Sequence, residues 1–340
     1  MNNIEKKYHR SELAKQQLRT AVLLFINEND LSSVITLSSA ASNILSQFVR
    51  RSGKEAFIDY ACRVHDAFIG GTPKRESYKN YIDNALGVNV HKHMSPDCPK
   101  TCTLDLRKCA IDSITVAIAD YVNLYGQKDD FVISFLSWRW VREDGTKIIE
   151  AYKDMPDKLK RTDKNKPSKA DLEKIKNKTG IEQPETEMKV HQRFKLAANQ
   201  LETAIMLFIT NTDKLSAITL AGAADVIFCE LVNRDGKENF TDLALKKEGG
   251  ERSRAEVGKE INDVLGINAL KHFDKDDDEH VEIDIDECAV GAILKALANY
   301  NMLEGKDDKL IIAFRFWCKT NLDPNRYKLS DDPEFWLEKK

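Results

Sequence analysis

The sequence predicts an all-α protein built from two tandem copies of one helical-bundle domain. The main observation is an internal duplication: residues 13–57 return without a gap as residues 196–240, with about half of the positions identical. A repeat of this length is typical of a doubled domain. Within each copy, apolar residues recur at intervals of three and four, which is the spacing of an amphipathic helix.

The first two helices of each copy have the clearest apolar stripes. In the first copy, one stripe extends from Leu18 to Ile26 and the next from Leu37 to Phe48. The equivalent stripes of the second copy cover residues 201–209 and 220–231. Paired alanines in the second helix of each copy predict a close approach between helices.

Shorter patterns predict the later elements. Residues 54–86 are polar and predict two helices with a break between them. Asp105 and Asp284 are each placed to cap the N-terminus of the following helix. An apolar segment closes each copy, from Asp129 and from Asp308, and we predict a helix because no other segment offers a strand to pair with it.

The predicted organisation has four parts. Residues 1–140 form the first helical repeat domain and residues 191–320 form the second. A charged, basic linker at residues 141–190 lies between them, and residues 321–340 form a C-terminal tail. The linker lacks an extended apolar stripe, which is typical of a solvated spacer.

Composition narrows the class of protein. Apolar residues make up 42% of the 340 residues and charged residues 31%, which suits two ordinary globular cores. We expect a cytoplasmic protein without a membrane span, because the apolar runs are short.

Of the seven cysteines, only Cys109 and Cys288 occupy equivalent positions in the two copies, which predicts free thiols. The net charge of −3 means that any affinity for nucleic acid needs a local basic patch.

One polar pattern occurs in both copies and has the character of a site. Its residues, as catalytic or binding candidates, are Asn89, Lys92, His93, Asn268, Lys271 and His272. Offsets of three and four place these side chains on one helical face. A neutral imidazole beside an ammonium can act as general base or acid on an RNA 2′-hydroxyl, while Lys and Asn hold the phosphate. The alternative is structural, with the Lys-His pair capping a turn.

The residues around this pattern resemble known helical domains. Leu-Gly-Val-Asn-Val-His-Lys-His at residues 86–93 follows a helix and precedes a polar loop and an Asp-capped helix. This arrangement is similar to uncharacterised bacterial proteins with a Lys-His pair before an acidic stretch, and more distantly to the HEPN superfamily. HEPN ribonucleases have an Arg and a polar residue a few positions before a His. Asn89 and His93 match the polar residue and the His, whereas Val88 stands where the Arg would be.

The resemblance implies how the two copies are arranged. In HEPN ribonucleases two such motifs meet at a dimer interface, and the second copy offers the same match with Asn268 and His272. Ile267 again replaces the Arg. Fusion of two copies allows a pseudo-twofold contact within one chain, with both histidines in one cleft. The alternative is that the copies lie side by side without a shared site.

Three functions follow as hypotheses. The first is a HEPN-like tandem binding protein that engages RNA or a partner protein, as a regulator or sensor in a bacterial or phage defence or toxin-type system. The second is a metal-independent endoribonuclease with His93 and His272 as acid and base. The third is a non-catalytic adaptor between proteins. None of them calls for a cofactor or a metal, and the oligomeric state is left open between monomer and homo-oligomer.

Further segments carry weaker patterns. The cluster of His91, His93, Cys98, Cys102 and Cys109 suggests zinc, but the second copy lacks three of these residues, so ordinary thiols are preferred. The acidic run from Phe273 lacks the Gly and the final carboxylate of an EF-hand, which predicts a solvated loop or a surface for a basic partner such as the linker.

The linker is the chain's basic patch. It is either a solvated spacer or a contact for the phosphate backbone of a nucleic acid. The residues assigned to that contact are Lys158, Lys160, Arg161, Lys164, Lys166 and Lys169.

Overall fold

The computed structural model describes residues 5–71, 74–142, 145, 153, 187–247, 249, 252–303 and 309–323. Over these residues it contains fourteen helices and four short strands, so the prediction of a mainly helical protein is confirmed. The basic linker residues assigned to phosphate contact lie outside the described residues, as does the tail from residue 324.

The first half begins with a strand and ends with two helices. Its elements are β1 (Lys6–His9), α1 (Arg10–Ile26), α2 (Leu31–Arg51), α3 (Phe57–Ile69), α4 (Arg75–Ala85), α5 (Val88–Lys92), β2 (Thr101–Leu104), α6 (Leu106–Tyr125) and α7 (Asp130–Arg142).

The second half has the same order of elements. They are β3 (Lys189–Gln192), α8 (Arg193–Ile209), α9 (Lys214–Arg234), α10 (Phe240–Lys247), α11 (Arg254–Val264), α12 (Ile267–Lys271), β4 (His280–Ile283), α13 (Ile285–Met302) and α14 (Lys309–Asn321). Strand β3 includes the last two residues of the predicted linker, Lys189 and Val190.

Local sequence determines several helix ends. The Asp105 carboxylate accepts a hydrogen bond of 2.9 Å from the Lys108 backbone N–H, and Asp284 caps α13 in the same way. Both predicted N-caps are therefore confirmed. Gly87 and Gly266 precede α5 and α12 with φ of 69° and 66°. Glycine is favoured there because this left-handed backbone is strained for other residues.

The long helices form a core that is continuous between the halves. In each half the second long helix packs against the first and against the helix that follows the second strand. Helices α2 and α9 also pack against each other across the halves. The predicted alanine pairs, Ala40 with Ala41 and Ala223 with Ala224, are fully buried. Helix α9 is long and apolar enough to span a membrane, but 78% of its most apolar window is buried in this core.

Each half contributes its first strand to the other half. Strand β1 pairs antiparallel with β4, from Lys6 opposite Ile283 to His9 opposite His280. Strand β3 pairs antiparallel with β2, from Lys189 opposite Leu104 to Gln192 opposite Thr101. The expectation that the chain offers no paired strands was wrong, because each strand has four residues and its partner lies in the other half.

Equivalent polar side chains join the halves. The Arg10 guanidinium donates to the carbonyl oxygens of Ala269 (2.8 Å), His272 (3.1 Å) and Asp278 (2.8 Å) in the second half. Its counterpart Arg193 donates to the His93 carbonyl oxygen at 3.0 Å. These bonds hold the two Lys-His segments from the opposite side of the interface.

A second set of equivalent side chains fastens the same loops. The Gln17 amide donates to the Leu270 carbonyl oxygen at 3.0 Å, and the Gln200 amide donates to that of His91 at 3.2 Å. Arg51 donates to the carbonyl oxygens of Asp274, Lys275 and Asp277, and Arg234 to those of Ser95 and Cys98. The loop after each Lys-His pair is thus held by the other half.

We predict that replacing both arginines, Arg10→Ala with Arg193→Ala, lowers the free energy of unfolding by about 2–4 kcal/mol, because four carbonyl oxygens at the interface lose their charged donors. Urea unfolding of the full chain measures this. Arg19→Ala is the control, since Arg19 is exposed on the same helix as Arg10, and it should change stability by less than about 0.5 kcal/mol. A double variant as stable as the control would show that the arginines do not join the halves.

Candidate functional site

Two short helices position the candidate residues. Asn89 and Lys92 lie within α5, and Asn268 and Lys271 lie within α12. The following His93 and His272 are in extended backbone conformation, with φ of −136° and −129°. Asn and Lys therefore share a helix, whereas each imidazole is carried by the chain as it leaves that helix.

The two short helices meet because each packs on the other half. Helix α5 contacts α8 and α9, and α12 contacts α1 and α2. Between them is a cleft of about 490 Å³, and we call it the composite cleft because both halves line it. All six predicted site residues lie on its wall: Asn89, Lys92, His93, Asn268, Lys271 and His272.

The two lysines of the composite cleft are buried. Lys92 is 5% exposed and Lys271 is 7% exposed. The Lys92 ammonium has no hydrogen-bond partner within the part of the chain that the structure describes. Desolvation, followed by the charge of Lys271, lowers the pKa of Lys92 well below its usual range. Desolvation and the charge of Lys295 lower the pKa of Lys271 to about 7.

The two histidines are more accessible than the lysines. Both residues are exposed to solvent, and both line the composite cleft. Partial desolvation of the ring, followed by the charges of Lys92 and Lys271, lowers the pKa of His272 to about 4, and the same causes lower the pKa of His93. Both imidazoles are therefore neutral at pH 7 when the cleft holds no anion.

The asparagines fix the backbone of the site. The Asn89 amide donates to the Asn84 side-chain oxygen, and the Asn268 amide donates to the Asp263 carboxylate, both at 2.7 Å. Each bond links a short helix to the helix before it. The asparagines thus hold the turns that carry the Lys-His pairs.

A buried ion pair lies behind the second half of the site. The Lys295 ammonium is 2.7 Å from an Asp225 carboxylate oxygen, and both residues are buried. Asn299 donates to the other oxygen of Asp225 at 2.8 Å. In the first half, Ser42 and Val116 occupy the equivalent positions. The composite cleft is therefore asymmetric beneath its two lysines.

Sequence reasoning missed this ion pair. Asp225 and Lys295 interrupt the apolar stripes of α9 and α13, and a charged residue at a buried helical position is a signal that could have identified them. Neither residue has a charged counterpart in the first copy, so the repeated pattern does not point to them.

Formal charge distinguishes the composite cleft from the rest of the protein. Six cationic side chains and three carboxylates line it, whereas the whole chain has a net charge of −3. The cationic residues are Arg50, Arg75, Lys79, Lys92, Lys271 and Lys275. The acidic ones are Glu76, Asp83 and Asp274. Such a site attracts anions.

The other sequence candidates have structural partners. His91 is fully buried, a ring nitrogen bonds to the Gly87 carbonyl oxygen at 2.7 Å, and desolvation lowers its pKa to about 4. Within the described ranges, no three His, Cys, Asp or Glu side chains are arranged to hold a metal ion. The acidic loop contacts basic residues of the first half, since Arg10 and Arg51 bind its carbonyl oxygens.

Comparisons with protein-family models, with curated proteins and with solved structures gave no match for this chain. The likeness to HEPN domains therefore rests on residues 86–93 and their counterparts in the second half.

We predict that the buried lysines make stability rise with pH. Lys271 has a folded-state pKa of about 7 against an ordinary value of 10.5, so between these values the unfolded chain binds more protons than the folded protein. Its contribution to the free energy of unfolding should rise by about 1–2 kcal/mol between pH 7 and about pH 9.5. Urea unfolding at both pH values measures this.

Matched variants isolate the effect. The double variant Lys92→Met with Lys271→Met should be less dependent on pH over this window than the native protein. Lys195→Met is the control, because Lys195 is exposed and does not line the composite cleft. Equal pH dependence in all three proteins would show that the two amines stay charged when the protein folds.

Proposed function

We propose that the protein is a HEPN-like tandem binding protein that engages RNA in the composite cleft. The observation that supports this most is that both Lys-His pairs line the same cationic cleft. The motif resemblance implies such a meeting of two copies. A role as a regulator or sensor in a bacterial or phage defence or toxin-type system belongs to the same proposal.

The chemistry of the wall favours a phosphate ligand. Lysine is a point charge that suits phosphate oxygens, and the exposed histidines can donate or accept hydrogen bonds. The overall charge of the chain is negative, so the attraction has to be local. Binding through lysines also implies a strong dependence on salt concentration.

RNA fits the cleft better than a partner protein does. The cores of protein interfaces are depleted in lysine and enriched in aromatic residues. The composite cleft has the opposite composition, with Phe273 as the aromatic residue among many charged and amide side chains. An adaptor function would use other surfaces of the protein.

We predict that Lys92→Met with Lys271→Met weakens RNA binding by about tenfold or more, which corresponds to about 1.4 kcal/mol. Fluorescence anisotropy with a labelled single-stranded RNA, repeated at several salt concentrations, measures the affinity and its salt slope. The variant should fold, since apolar replacement of buried charges is often neutral or stabilising. Lys195→Met should bind as the native protein does. RNA binding that is equal in both variants would move the interaction away from the cleft and favour the adaptor function.

The accessible histidines favour a second function, metal-independent ribonuclease activity. In such a reaction a neutral imidazole removes the proton of the 2′-hydroxyl, the oxygen attacks phosphorus, and the leaving 5′-oxygen receives a proton. His93 or His272 can act as this base, because the lowered pKa leaves the imidazole neutral at pH 7. Lys271, with a pKa of about 7, has the charge state of a proton donor.

We predict that any RNA cleavage persists in a metal chelator and is lost in His93→Ala and His272→Ala. Gel analysis of a labelled RNA, with a 2′,3′-cyclic phosphate as the expected product, measures it. His65→Ala is the control, since His65 does not line the cleft. RNA that is bound but left intact would exclude the ribonuclease and leave the binding function.

A further inference from the structure

The buried lysines of the composite cleft determine which chemical group of a ligand enters it, and this assignment rests on the proposed function. We propose that Lys92 and Lys271 together receive a terminal phosphate, a phosphomonoester dianion, and that the bound part of an RNA is its phosphorylated end. A free nucleotide has the same group and is the other source of it.

Both buried amines lack a carboxylate of their own. The acid near Lys92 is Asp83, which forms an ion pair of 2.5 Å with Lys79. The acid near Lys271 is Asp225, which forms its ion pair with Lys295. Within the described chain, each nearby negative charge is therefore already balanced by another lysine.

Charge balance favours a dianion. A buried ammonium is costly unless an opposite charge accompanies it. Two such amines line one cleft, and because desolvation lowers the pKa of both, a bound anion is what keeps them protonated near pH 7. An internal phosphodiester has one negative charge, whereas a terminal phosphate has nearly two at pH 7. The terminal group is thus the one that matches both lysines.

The depth of the residues favours entry by an end of the ligand. The lysines are at most 7% exposed, whereas the histidines are exposed to solvent. A ligand that contacts both kinds of residue therefore extends from the solvent-exposed surface of the cleft to its buried wall. The volume of about 490 Å³ is within the range of small-ligand sites and suits about one nucleotide. A terminal phosphate at the buried lysines leaves its nucleotide beside the exposed histidines.

The test compares three kinds of probe on the full chain. They are a short RNA phosphorylated at its 5′ end or, separately, at its 3′ end, the same RNA with hydroxyl ends, and a nucleoside monophosphate. Titration calorimetry measures each affinity. We expect the RNA that is phosphorylated at one of its two ends, 5′ or 3′, to bind about tenfold tighter than the RNA with hydroxyl ends. Lys92→Met with Lys271→Met should abolish that difference, and Lys195→Met should preserve it.

A second measurement, on the native protein alone, compares a phosphomonoester with a phosphodiester. Methyl phosphate is a monoester and dimethyl phosphate a diester, and a ligand that binds the folded state raises the unfolding temperature. We expect methyl phosphate to raise it more than dimethyl phosphate does. Equal shifts would overturn the assignment of a dianion.

The outcomes separate this inference from the proposed function. Equal, lysine-dependent binding of phosphorylated and hydroxyl RNA overturns the terminal phosphate and leaves RNA binding intact. Tight binding of the monophosphate with negligible binding of either RNA supports the terminal phosphate and overturns RNA as the ligand. Absence of binding by all three probes overturns both.

Discussion

The reciprocal pairing of strands between the halves is the constraint from which the rest of the structure follows. Each half completes a two-stranded ribbon of the other, and Arg10 and Arg193 bind carbonyl oxygens across the same interface. These contacts fix helices α5 and α12 against helices of the opposite half. The composite cleft exists because of this arrangement, since neither half contains both Lys-His pairs.

The cleft combines two opposed requirements. Burying amines without carboxylate partners disfavours their charged form and lowers their pKa, whereas an anion that enters the cleft favours the protonated, cationic form. Asp83 and Asp225 lie near the buried lysines, yet Lys79 and Lys295 balance them. Among the described residues, Lys92 and Lys271 thus have no acid of their own. Structural lysines of a core would instead be paired with acids.

Local signals made much of the helical fold predictable. The stripe of α1 and the N-cap at Asp105 depend on residues a few positions apart, so one sequence is enough to place them. The short strands β1 and β4 were missed, because four residues give no periodicity and the partners lie far apart in the chain. The role of Lys295 was missed for a related reason, since it has no counterpart in the first copy.

The duplicated apolar stripes, and the recurrence of Asn, Lys and His at one place in each copy, can be read from one sequence. These properties are local, because helical periodicity and a repeated motif are written in neighbouring residues. The exchange of strands, the meeting of both Lys-His pairs in one cleft and the burial of Lys92 and Lys271 depend on tertiary contacts. Contact between halves decides burial and charge balance, and such contact joins residues that are distant in the chain.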